Sequence, residues 1–253
     1  MRLGEIELIF QVPSPNKDLP TFWAGLLAAL TSKYPGSQLQ NHAAPEHAPP
    51  EQLRISLLTQ NFNIHVSQSQ IHLHLRPNVP GLKVQQYLHN FFNQYKPLLS
   101  EMVKHIPANS RLRLAGKTCF ALKTIHQKPQ DLIKLLHQNF IHFPELGVTR
   151  EFRLQLGYED QNHGFKFVFV DYQSRQLPNP PPPQVSFQQL QKYPLVENGV
   201  EVYLELIPLK AASSLAGSMV NTFRLYALTL DSIPTNFLQN LAEELIEEGG
   251  TLN

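Results

Sequence analysis

The first residues of the chain alternate between apolar and polar side chains. One parity is apolar (Ile6, Leu8, Phe10 and Val12), and the other carries Glu5, Glu7 and Gln11. A period of two places successive side chains on opposite faces of a β-strand. The pattern therefore predicts an N-terminal strand with one buried face and one wet face, which ends at the Pro-rich residues 13–16.

A helix is predicted after this strand. Asp18 is a suitable N-cap and Pro20 suits the first turn, and the helix is expected to close at residues 34–36. Residues 37–51 contain three prolines and are expected to form an irregular surface loop.

The rest of the first half alternates again and then becomes helical. Tight turns separate three short strand patterns, which favours an antiparallel meander over 53–59, 62–67 and 70–76. A helix is predicted over 82–105, and Pro97 is expected to kink or split it.

The second half repeats the order of the first. Strands are expected over 111–125, 149–158, 165–172, 200–207 and 223–230, and helices over 131–140, 187–191 and 235–247, with a polyproline connector at 178–183. Both halves therefore consist of a strand, a helix, antiparallel strands and a helix. We predict an α+β fold with helices packed on one face of antiparallel sheets, in two similar halves (1–107 and 108–253) or one continuous domain.

Composition narrows the function. The chain has 253 residues, is 42% hydrophobic and carries a net charge of +1, which argues against a bulk polyanion binder. Its single cysteine, Cys119, cannot form an intrachain disulfide, and no leader or membrane span is recognised, so a soluble cytoplasmic protein is expected. Phosphate-binding and nucleophile-elbow motifs are absent from the sequence, and neither a catalytic residue nor a cofactor is predicted.

The histidines of the 62–75 hairpin are a candidate metal site. Closing its turn so that Val66 faces Ile71 puts His65 opposite His72, with His74 two residues further along the same face. Such a group of imidazoles could bind Zn²⁺ or Ni²⁺. The alternative is that these histidines are ordinary side chains on the wet face of a sheet.

Two further groups suggest nucleic-acid chemistry. Four cations share one parity of the 111–125 strand, where they could follow a phosphate backbone: Arg111, Arg113, Lys117 and Lys123. Five histidines in or beside predicted loops are candidates for acid–base cleavage of RNA: His42, His47, His105, His126 and His163. The alternative for both groups is an ordinary solvated surface.

The N-terminal two thirds resemble an uncharacterised, sporadically distributed prokaryotic family of about this length. The likeness lies in the segments Glu5–Val12, Lys33-Tyr34-Pro35, Phe62–Val66, Ile71–Leu75, Tyr87-Leu88, Phe91-Phe92 and Arg111-Leu112-Arg113-Leu114. Where the family has an Arg-Tyr-Ile-Asn-like signature, this chain has Ala115-Gly116-Lys117-Thr118. The family's patchy distribution implies an accessory or defence-type role.

In size and in its two halves, the chain is also similar to metal-independent CRISPR RNA endonucleases with tandem ferredoxin-like halves. Their glycine-rich loop would correspond to residues 211–218, where this chain has only Gly217. We expect a non-enzymatic protein-interaction module or complex subunit, of a prokaryotic defence or mobile-element system, that binds another protein subunit. The alternative is an RNA- or DNA-binding protein, including such an RNA endonuclease. No membrane partner is expected.

Overall fold

Nine strands form one sheet in which all neighbouring strands are antiparallel. The computed structural model describes residues 2–43, 45, 47–76, 84–122, 129–140, 152–178, 186–209, 215–239 and 241. The strands are β1 (Arg2–Gln11), β2 (Gln38–Asn41), β3 (Ile55–Leu58), β4 (Phe62–Val66), β5 (Gln70–Leu75), β6 (Arg111–Ala121), β7 (Arg153–Glu159), β8 (His163–Arg175) and β9 (Leu195–Pro208). The helices are α1 (Leu19–Lys33), α2 (Val84–His105), α3 (Pro129–Phe140), α4 (Phe187–Leu190) and α5 (Leu215–Asn236).

The two halves of the chain meet at the centre of the sheet. The strand order is β2-β3-β4-β5-β1-β6-β9-β8-β7. In each half the last strand lies against the first, β5 against β1 and β9 against β6, and the pair β1–β6 joins the halves. The final helices of the two halves, α2 and α5, pack against each other. The structure is therefore an α+β fold built on one continuous sheet, as the sequence predicts.

The predicted alternation of β1 is confirmed except at Ile9, which has the outer parity but is also buried. Ile6, Leu8 and Phe10 are fully buried, and they define the inner face of the sheet. The buried side chains of α1, α2, α3 and α5 belong to the same hydrophobic cluster as this face, with Trp23 and Tyr226 among the largest. The opposite side, to which Glu7 and its neighbours belong, is called the outer face below.

The predicted strand over 223–230 is wrong, because these residues belong to helix α5. The buried residues of this helix are spaced three or four apart, which is the period of a helix and not of a strand: Met219, Thr222, Phe223, Tyr226, Ala227, Leu230 and Ile233. The aromatic and β-branched residues of the segment favour a strand locally, but packing of the helical stripe on the sheet prevails.

The predicted loop over 37–51 is also wrong in part, because residues 38–41 form β2. All four residues of β2 are exposed at the edge of the sheet, so they show no alternation. Pro97 lies inside α2 without dividing it.

Several predicted boundaries move or fall outside the described residues. The 111–125 strand ends at residue 121, and the predicted helix over 235–247 overlaps α5 only at its first two residues. The polyproline connector lies outside the described residues except Pro178, as do 242–253. Four strands lie between α1 and α2, so the first half does not follow the ferredoxin-like order. Among the described helices, none is both long and apolar enough to cross a membrane.

Gly199→Ala is expected to destabilise the protein. A Cβ at this buried position in β9 would collide with the carbonyl oxygen of Phe120 and lie 3.0 Å from Cα of Ala121, both backbone atoms of the neighbouring strand. Overpacking of this kind costs about 1–3 kcal/mol. The free energy of unfolding from urea titration measures the loss. Gly157→Ala in β7 is the matched control, because a Cβ there meets nothing within 4 Å; equal stability of the two variants would contradict this packing.

Candidate metal centre

The histidine hairpin has the predicted register. In the β4–β5 pair, Val66 lies opposite Ile71 and His65 opposite His72. Val66 and Ile71 are completely buried on the inner face, so the histidines, which have the other parity, lie on the outer face. His74 follows two residues after His72 on the same face and is also half-buried.

A carboxylate from the adjacent strand completes the cluster. β1 pairs with β5 so that Glu7 lies opposite His74, and Glu7 reaches both histidines. Its Oε1 atom lies 2.9 Å from Nδ1 of His72 and 3.4 Å from Nε2 of His74. Among the described residues, Glu7, His72 and His74 form the group of three potential ligands whose donor atoms lie within 4.8 Å of one another.

Two of the three spacings are close to those of a tetrahedral metal site. Zinc binds imidazole nitrogen and carboxylate oxygen at about 2.0–2.2 Å, so two ligand atoms of a tetrahedral site lie roughly 3.3 Å apart. The two distances from the Glu7 oxygen, 2.9 and 3.4 Å, are close to that value. The separation of the donor nitrogens of His72 and His74 is at most 4.8 Å, so the group could hold a small divalent ion.

Neighbouring polar groups hold the ligands in position. His72 Nε2 lies 2.6 Å from the side-chain amide of Gln70, and Nδ1 of His74 lies 3.5 Å from Oε1 of Glu5. Such second partners fix the orientation and tautomer of a ligating imidazole.

The charge state of Glu7 suits a metal ligand. The hydrogen bond from His72 lowers the pKa of its carboxyl group, and the nearby His74 and Arg113 add to this effect against the opposing influence of burial. Glu7 is therefore ionised at neutral pH, as a metal ligand must be.

His65 lies beside this cluster. Its ring centroid is 5.3 Å from that of His74, in an edge-to-face arrangement. Burial lowers the pKa of His65 to about 4, and the charges of His74, His72 and His42 add to this effect. The ring is therefore neutral at pH 7. Its Nδ1 atom is buried and has no hydrogen-bond partner within the described part of the chain.

Two of the four cations of the predicted basic strand lie beside carboxylates. Arg113 contacts Glu205, a buried glutamate on β9, and the Lys117 ammonium lies 3.3 Å from Glu201 on the same strand. Arg111 is exposed at the start of β6, and Lys123 lies outside the described residues. The outer face of β6 and β9 thus carries paired charges, which weakens the case for nucleic-acid binding there.

The loop histidines are dispersed. His42 Nε2 bonds to the Ser56 hydroxyl at 2.8 Å, His105 lies 3.4 Å from Glu101 on its own helix, and Nδ1 of His163 lies 3.6 Å from Asp160. His126 lies outside the described residues. His47 is described and exposed. The other three described members have separate local partners, and no potential metal-ligand group among the described residues includes any of these histidines.

Glu7 is the member of the candidate site that the sequence does not predict. It lies 65 residues before His72, and only the pairing of β1 with β5 brings the two together. Its outward parity in β1 was the available signal, but the neighbour of β1 in the sheet could not be read from one sequence.

Comparison with known proteins identifies no similar protein. The chain matches no family model, no curated protein and no solved structure. The two family resemblances seen in the sequence therefore stay predictions.

His65 should make the protein sensitive to mild acid. Its pKa is near 6.5 in an unfolded chain and about 4 in the fold, so the unfolded state takes up the proton first. Its contribution to stability is complete above pH 6.5 and is lost as the pH falls from 6.5 towards 4. With allowance for solvent screening, we expect a loss of about 1 kcal/mol between pH 7.5 and 5.

Urea titration of the metal-free protein at these two pH values measures this effect. His65→Gln should lose less stability between them than the unsubstituted protein, whereas His163→Gln, which removes an imidazole from a different part of the sheet, should behave like it. An unchanged pH dependence in His65→Gln would contradict the burial of a neutral imidazole at this position.

Proposed function

We propose that this protein binds one divalent transition-metal ion, such as Zn²⁺, through Glu7, His72 and His74. The observation that carries the proposal is the position of one carboxylate oxygen between two imidazole nitrogens, at 2.9 and 3.4 Å. Three ligands from two hydrogen-bonded strands are held in place by the sheet itself, so little ordering is needed when the ion binds.

The ligand types favour particular metals. Imidazole suits zinc, copper, nickel and iron, whereas Mg²⁺ and Ca²⁺ prefer sites made of oxygen atoms. Two imidazoles and one carboxylate therefore select against the abundant alkaline-earth ions. The three side chains are about a quarter exposed, which leaves a route for the ion from solvent.

In the metal-free protein, a hydrogen bond connects His72 with Glu7. His72 donates a hydrogen bond from Nδ1 to the Glu7 carboxylate, so the imidazole and the carboxylate share that proton at 2.9 Å. A bound ion takes the place of the proton between the same two atoms. The displaced proton moves to Nε2 of His72, which lies 2.6 Å from the side-chain oxygen of Gln70. Binding should weaken as the pH falls, because protons compete with the ion for the imidazole nitrogens and the carboxylate.

The interaction-subunit function expected from the sequence remains a prediction, and a metal-binding subunit would be one form of it. The nucleic-acid alternative has less support, because Arg113 and Lys117 lie beside the carboxylates of Glu205 and Glu201.

The protein without a polyhistidine tag is expected to bind close to one equivalent of Zn²⁺. Isothermal titration and elemental analysis after gel filtration measure the stoichiometry. Glu7→Gln, His72→Ala and His74→Ala should each lose most of the affinity, and His163→Ala should retain it, because His163 lies on β8 away from the cluster. Binding of less than a tenth of an equivalent by the unsubstituted protein would refute the proposal.

Bound zinc is also expected to stabilise the fold. An ion that binds only the folded state adds about 2.7 kcal/mol at a free concentration of one hundred times its Kd. Thermal unfolding with zinc and with a chelator measures this shift. Mg²⁺ at the same concentration is the comparison, and an equal shift with Mg²⁺ would argue against the histidine ligands.

A further inference from the structure

We infer that His65 is the fourth protein ligand of the ion, so that the metal site is closed and has no position for a reactive water molecule. This inference rests on the proposed function, because it concerns the coordination of the same ion. A catalytic zinc has three protein ligands and an open position, whereas a structural zinc has four protein ligands. A fourth ligand would therefore indicate a structural site.

The register of the sheet places His65 within reach of the cluster. It lies directly opposite His72 in the β4–β5 pair, where Cβ atoms are about 5 Å apart. It is also in ring contact with His74, at 5.3 Å between centroids. His65 thus lies next to both candidate histidine ligands, and coordination would require a change in its side-chain torsions that brings a ring nitrogen to the ion.

The second observation is the missing partner of His65. Its buried Nδ1 atom has no hydrogen bond within the described residues, whereas Nδ1 of His72 is bonded to Glu7 and Nδ1 of His74 faces Glu5. An unsatisfied buried polar atom costs about 1–3 kcal/mol. Coordination of the ion through this nitrogen would remove that cost.

The described residues nearest to His65 have other partners. The residue opposite His65 on β3 is Ser56, and its hydroxyl is already engaged by His42 at 2.8 Å. Among the described carboxylates, those closest to the histidine group are Glu7 and Glu5, which contact His72 and His74. His65 is therefore the histidine of the group whose bonding capacity the rest of the structure leaves unused.

A closed site has a consequence for function. The ion would connect three adjacent strands, β4, β5 and β1, and would hold the first half of the sheet together. Its role would then be structural or regulatory, because gain or loss of the ion would change the free energy of unfolding. Hydrolysis of a substrate at the metal is not expected.

Cobalt(II) substitution tests the coordination. Four-coordinate tetrahedral Co²⁺ absorbs visible light much more strongly than five- or six-coordinate Co²⁺, so the spectrum reports the number of ligands. We expect the intense tetrahedral spectrum for the unsubstituted protein. In His65→Gln we expect a weaker spectrum and at least about tenfold lower affinity for Zn²⁺, in line with the cost of disturbing a metal site.

His42→Gln is the matched control, because His42 lies next to the same group and is bonded to Ser56. It should retain both the affinity and the spectrum. X-ray absorption of the zinc-loaded, unsubstituted protein needs no variant and counts the imidazoles directly. Three imidazoles would support the inference, and two would overturn it even if His65→Gln failed to fold.

The outcomes distinguish this inference from the proposed function. Zinc binding with an unchanged affinity and cobalt spectrum in His65→Gln would overturn the role of His65 and leave the three-ligand site intact. Failure of the unsubstituted protein to bind Zn²⁺ or Co²⁺ would overturn both.

Discussion

One-sided burial of the sheet is the constraint on which the rest of this structure depends. Along β1 the residues Ile6, Leu8 and Phe10 are fully buried, and the helices pack into the same cluster. The opposite parity is thereby released from the core and can carry polar groups. Because successive side chains of a strand point to opposite faces, each strand that packs one set of residues on the inner face places the other set on the outer face. The candidate metal centre lies on the outer face, where such rows from β1 and β5 meet.

The same constraint acts in both halves but with different chemistry. In the first half the outer face of β1 and β5 pairs a carboxylate, Glu7, with histidines. In the second half the corresponding strands, β6 and β9, pair permanent cations with carboxylates, as Arg113 does with Glu205. A carboxylate paired with arginine or lysine has its charge neutralised, and such cations do not bind metal ions. Imidazoles beside a carboxylate are potential ligands of a metal ion, so the first half offers a candidate site that the described part of the second half lacks.

Local patterns in the sequence predicted most of the elements and the register of the histidine hairpin. They succeeded where the burial pattern is visible within a few residues, as in β1 and in the pair His65 and His72. They failed for β2, which buries nothing, and for residues 223–230, whose composition favours a strand although their burial follows a helix. In these cases the deciding interactions are made with distant parts of the chain.

The site was predictable only in part for the same reason. Two of its histidines lie two residues apart and were found as a group, whereas Glu7 comes from a strand 65 residues earlier. The alternation of β1 predicted that Glu7 faces solvent. The pairing of β1 with β5, however, depends on the packing of the whole sheet. The pairing of Arg113 and Lys117 with glutamates of β9 was unpredictable for the same reason, because it depends on β9 being the neighbour of β6.

The central position of β1 has a consequence for the synthesis of the protein. β5 ends at Leu75, but β6 begins only at Arg111, so one neighbour of β1 is made well before the other. At roughly 5–20 residues per second, the growing chain spends several seconds with one side of β1 unpaired. An unpaired strand is a template for other chains. Nascent chains on neighbouring ribosomes of one message would therefore be at risk of pairing through β1, and the yield of folded protein in the cell should depend on how well chaperones shield this strand until β6 leaves the ribosome.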